Sequence, residues 1–155
     1  MPGILAELET ALVERLQARI PTLRIEAFPA SWKQYRLQHQ RGAILVEYQL
    51  SRYGDILDVG GVAQERTAVF QLCLIARNLR DHRDLSGYLE DMRRAVQGYV
   101  VPGCRAFRVV QDQFVDELDG TWVHIMSIET VILTVEDEDD DPGEAIGLNS
   151  VVVTS

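Results

Sequence analysis

Three features of the sequence predict an α+β fold, a mainly antiparallel sheet of four to five strands packed against two helices. Two segments repeat apolar residues at three- and four-residue spacing, the pattern of an amphipathic helix. Several others alternate apolar and polar residues, the pattern of a strand. In the last third, two strand-like runs flank Asp119-Gly120, the signature of a hairpin. The chain has 155 residues, 46% of them apolar and 25% charged, which suits one compact domain and excludes a large multidomain enzyme.

The first helix is predicted by Ile4, Leu5, Leu8, Leu12, Leu16 and Ile20, with Glu7, Thr10, Glu14 and Gln17 opposite, and Pro21 ends it. Leu23 to Phe28 alternates weakly before Pro29 and reads as a short strand near a sheet edge, because proline cannot donate to a ladder. Ser31 to Arg41 has no period and reads as a polar connection. After Gly42, Ile44, Val46, Tyr48 and Leu50 share one strand face, while Glu47 and Gln49 share the other.

Ser51 to Ala63 contains Gly54, Gly60, Gly61, Asp55 and Asp58 and reads as a long exposed loop between paired strands. Loops of that length are commonly functional, and arginine and aromatic side chains concentrate binding energy. Arg52, Tyr53 and Ile56 are therefore the candidate partner-binding residues of this segment. Thr67 to Arg77 is apolar on nearly both faces and should be a central strand.

Asp84 is placed to cap a second helix, whose Leu85, Tyr88, Leu89, Met92, Val96 and Tyr99 form one stripe, with Gly98 at its end. The hairpin runs from Phe107 to Phe114 and from Trp122 to Val135. The predicted organisation is thus a domain over residues 1–135, then an acidic linker and strand-like extension over 136–155. The linker self-repels and buries little, while Ile146 to Val153 is apolar enough to dock. Val151, Val152 and Val153 could add an edge to another chain's sheet or pair within their own domain.

Fifteen Lys and Arg oppose 24 Asp and Glu for a net charge of −9, and seven of those acids lie in Glu136–Glu144, leaving the body near −2. Such a body disfavours sequence-independent nucleic-acid binding. Two cysteines, Cys73 and Cys104, are too few for a disulfide scaffold. No basic-then-apolar leader opens the sequence, and no apolar run approaches the ~20 residues of a membrane span, so a soluble protein that starts as written is expected.

The search for chemistry predicts neither catalytic residues nor cofactor or metal ligands. His39, His82 and His124 fall in no ligand spacing. His82 with Asp81 and Asp84 reads as a solvated turn and cap, and His124 as a hydrogen-bonded core or interface histidine. Nucleophile-elbow, Walker and dinucleotide glycine patterns are absent. Asp137, Asp139 and Asp141 alternate as in a calcium loop, but Pro142 occupies the glycine position and Leu148 that of the closing glutamate.

The order of pieces resembles a known family. The helix ending at Ile20-Pro21, the Gly42–Tyr48 and Arg66–Phe70 strands, the Tyr88–Tyr99 helix and the Glu117–Trp122 turn are similar to those of the tail-terminator (neck, collar) proteins of Mu-like contractile-tailed phages and R-type pyocins. The resemblance covers residues 1–135 and implies a sixfold ring that caps the tail tube and meets the last sheath layer. It implies no enzyme activity and no cofactor. Implied partners are further copies of the chain, tube protein, sheath protein and head-tail connector or collar proteins, with no membrane and no specific nucleic acid. Assembly would occur in the bacterial cytoplasm, and the product would sit at the neck of a virion or tail-like particle. Two other readings stand beside it: a small-molecule-binding domain using His82, Asp84 or His124, and a regulatory protein whose acidic tail occupies a basic partner.

Overall fold

The computed structural model describes residues 3–29, 42–57, 60–77, 82–118 and 120–137. Its elements are α1 (Ile4–Arg19), β1 (Arg24–Ala27), β2 (Gly42–Ile56), β3 (Ala63–Arg77), α2 (His82–Val96), β4 (Arg108–Leu118) and β5 (Thr121–Val135). One five-stranded sheet has the order β1-β2-β3-β5-β4. Only the β1/β2 pair is parallel; the other three are antiparallel. The α+β prediction and the central position of β3 therefore hold.

Both helices lie on one face. Leu8, Leu12 and Leu16, one stripe of α1, are fully buried, and α2 adds Leu85, Met92 and Val96. They pack on Ile44, Val46, Phe70, Leu72, Leu74, Met126 and Ile128 of the sheet. Acidic Glu7 in the first turn of α1 and Arg19 in the last complement the helix dipole. Phe70 forms the centre, edge-on to Tyr48 at 5.6 Å and to Phe107 at 6.2 Å between ring centroids.

The opposite sheet face carries a smaller cluster. Leu45, Cys73 and Ile75 are buried there, with Phe28, Val123 and Ile125 packed around them. No helix covers it among the described residues. At the start of β2, Gly42 has φ +146°, and a Cβ there would run into the Ile75 carbonyl oxygen. Only glycine lets the two backbones approach so closely.

Three sequence expectations need correction. Residues 51–56 are strand, not loop: Arg52 pairs with Thr67, Tyr53 with Arg66 and Ile56 with Gln64. The turn residues of that stretch misled because a long hairpin tolerates glycine where a bulge occurs, and the register indeed shifts between Tyr48 and Leu50 and between Tyr53 and Ile56. Second, Asp84 lies inside the first turn of α2 rather than before it. Third, β4 continues past Phe114 to Leu118, through a bulge between Phe114 and Asp116 that breaks its alternation.

Candidate functional site

β2, β3 and β5 have 15 residues each, about 50 Å when extended. The helices cover only part of that length: β2 is buried from Gly42 to Val46 and exposed from Tyr53 onward. Beyond the helices the three strands end in an apolar tip. Tyr53, Ile56, Leu57, Val62, Leu133 and Val135 are all exposed, by 43% to 67%. Yet the backbone there is ordered by hydrogen bonds. Leu57 N–H donates to Ala63 O, Val62 N–H to Glu136 Oε1 at 2.7 Å, and Glu136 N–H back to Val62 O. The Arg66 guanidinium stands 5.4 Å from the Tyr53 ring centroid. These side chains divide between the two sheet faces, Tyr53 and Ile56 in register with Ile132 and Thr134, and Leu133 and Val135 on the other, so the tip presents apolar surface on both.

On the sheet face opposite the helices sits an ionic clamp. Glu129 of β5, whose side chain is only 7% exposed, accepts from Arg52 Nη2 of β2 at 2.9 Å and from Arg108 Nη2 of β4 at 2.6 Å. Arg52 reaches across β3 to do so, so one carboxylate ties together strands that are not neighbours. Nearby, Arg105 pairs with Glu65 at 2.7 Å. The predicted contact residue Arg52 is thus tied to its own domain. Glu129 and Arg108 escaped the sequence reading, although an acid inside the apolar run Ile128 to Ile132 is the signal that could have found them.

The two sheet edges differ. β1 pairs with Ala43–Val46 alone, and Phe28 N–H adds one bond to Val46 O, so Glu47–Ile56 of β2 has no ladder partner on that side among the described residues. At the other edge β4 pairs, among the described residues, with β5 only and exposes Val110, Phe114 and Val115.

The remaining candidates do not converge on a catalytic centre. His124 Nε2 lies 2.8 Å from Asp112 Oδ1, as a hydrogen-bonded core histidine should, while its buried Nδ1 has no partner. Asp84 is exposed on α2. The His82 side chain, His39 and Val151, Val152 and Val153 lie outside the described residues. Among the described residues no group of three or more His, Cys, Asp and Glu is placed to hold a metal ion, and no helix is long and apolar enough to cross a membrane.

Burial, and secondarily the Glu47 charge, raise the Cys73 thiol from 9.0 to about 11. The folded state therefore holds this proton longer than the unfolded chain. Its contribution to stability is full below the unfolded value and is lost as pH rises through the folded one. Urea unfolding should show stability falling from pH 9 toward 11, and Cys73→Ala should flatten that decline; an equally steep decline in the variant would refute the assignment.

Comparison with known proteins places this architecture. A solved structure 16% identical to the chain, with 88% of this chain and 96% of the other covered, superposes with a TM-score of 0.52 and shares the fold. No curated protein matches. The Gp37 protein family matches residues 12–151, which takes in every strand and most of the residues after β5 as well. With nine-tenths of its length so matched, the chain belongs to the Gp37 protein family, a phage-associated family, and is a phage-related structural protein.

Proposed function

We propose that this chain forms a sixfold ring that caps the tail tube of a contractile phage or phage-tail-like particle and touches the last sheath layer. The observation that carries the reading is the apolar tip of β2, β3 and β5. A protein that works alone gains nothing by holding Tyr53, Ile56, Leu57, Leu133 and Val135 in water on an ordered backbone, whereas one that stacks on another ring buries them. Family membership supports the phage setting.

On this reading the protein acts by shape and transforms no substrate. It is made in the bacterial cytoplasm and ends at the particle neck, where it meets tube, sheath and connector or collar proteins. A cap must match the tube on one side and offer a different surface on the other, so that addition of further rings stops. Residues 136–155 serve as an acidic tether, and Val151 to Val153 as a strand that reaches a sheath neighbour.

Native mass spectrometry and negative-stain imaging of purified tails test this. Six copies of the 17.5 kDa chain are expected at the neck. Particles whose upper end lacks the subunit, or a chain that never copurifies with tails, would refute the proposal.

A further inference from the structure

We infer that neighbouring copies of this chain join by strand pairing, the outer edge of β4 in one copy adding antiparallel to the Glu47–Ile56 half of β2 in the next, both edges lacking a ladder partner among the described residues. The inference rests on the ring reading and names the interface that closes the ring.

Topology sets the polarity. In the order β1-β2-β3-β5-β4, with the last three pairs antiparallel, β4 runs opposite to β2. Copies related by rotation therefore bring β4 against β2 in the antiparallel sense, which gives the better-aligned ladder. The lengths agree, since β4 has 11 residues and the open half of β2 has ten. Both bear apolar side chains that water now reaches: Val110, Phe114 and Val115 on β4, and Leu50, Tyr53 and Ile56 on β2. Long apolar edges of this kind otherwise invite uncontrolled pairing.

Closure also follows from the register. Arg108 pairs with Glu129, Glu129 with Val69 and Val69 with Leu50, so β4 starts level with Leu50 and extends away from the tip. It lies about six residues, or about 20 Å, below the open half of β2. Five strands span about 24 Å, so this offset per copy tilts the strands by about 40° from the ring axis, within the range of closed barrels.

Charge fits the same arrangement. Arg108, at the start of β4, would approach Asp55, near the end of β2. The two flanks are unlike and complementary, as a heterologous contact requires.

Two variants test the pairing, each adding lysines at exposed positions of one edge: Val110→Lys with Val115→Lys on β4, and Leu50→Lys with Ile56→Lys on β2. Native mass spectrometry should give oligomers for the full-length wild type and monomers for each variant, with circular dichroism and melting unchanged. Mixing the two variants should restore a 1:1 complex through the one junction whose edges are both intact, and no ring. Rings formed by either variant alone, or a folded mixture that stays monomeric, would overturn the inference while leaving the ring reading intact. A wild type absent from tails would instead defeat the ring reading itself.

Discussion

Replacing Phe70 with alanine is expected to cost about 3–5 kcal/mol of folding stability, the range for deleting a buried aromatic side chain from a core. For a chain of this size that lowers the melting temperature by about 10 °C. Phe70 is fully buried on the central strand, beneath both helices. Its ring meets Tyr48 of β2 and Phe107 of the connection between α2 and β4. That connection is held by a reciprocal pair of backbone bonds, Gly98 N–H to Phe107 O and Phe107 N–H to Tyr99 O, and by the stacked Tyr99 and Phe107 rings. The cavity would therefore also loosen the segment that leads into β4. Chemical denaturation measures the loss, and hydrogen exchange at Tyr99 and Phe107 should rise with it. A loss below about 1 kcal/mol would show that the core does not converge on this ring.

Much of this architecture is legible in the sequence because burial on one side imposes a period. The α1 stripe, the doubly apolar β3 and the Asp119-Gly120 hairpin each follow from side chains that must leave water. The hairpin of β2 and β3 was cut short for a complementary reason. From Arg52 onward in β2 and from Ala63 to Thr67 in β3 no side chain is buried, so little alternation is imposed, and bulges shift what alternation remains. What reads as a loop is strand, paired with β3 along one side. The candidate site shows the same division. Arg52, Tyr53 and Ile56 are candidate contact residues by their chemistry, but their arrangement depends on the long-range pairing of β2 with β3. The clamp was illegible, since Arg52, Arg108 and Glu129 are separated by up to 77 positions and meet only because β2, β3, β5 and β4 lie in that order.

That clamp yields the second large effect, an asymmetry between its members. Removing both guanidiniums by Arg52→Ala with Arg108→Ala should destabilise the fold by about 2 kcal/mol, because it strands a carboxylate that the sheet has taken out of water. The arginine side chains are 60% and 68% exposed, so water entering their place reduces the penalty below that of a fully buried pair. Glu129→Gln should cost less than about 1 kcal/mol, since the amide oxygen still accepts a hydrogen bond and the released guanidiniums are already solvated. Equilibrium unfolding in urea separates the two, and a glutamine variant less stable than the double alanine variant would reverse the argument. The consequence reaches assembly. Glu129 joins β2 to β4, the strands proposed to pair between copies, so in such a ring the clamp would fix the distance and twist between the two flanks. A chain with both arginines removed should still fold at moderate temperature yet form rings less readily than the glutamine variant, because each loosened sheet would add a variable angle to a circle that closes only at one.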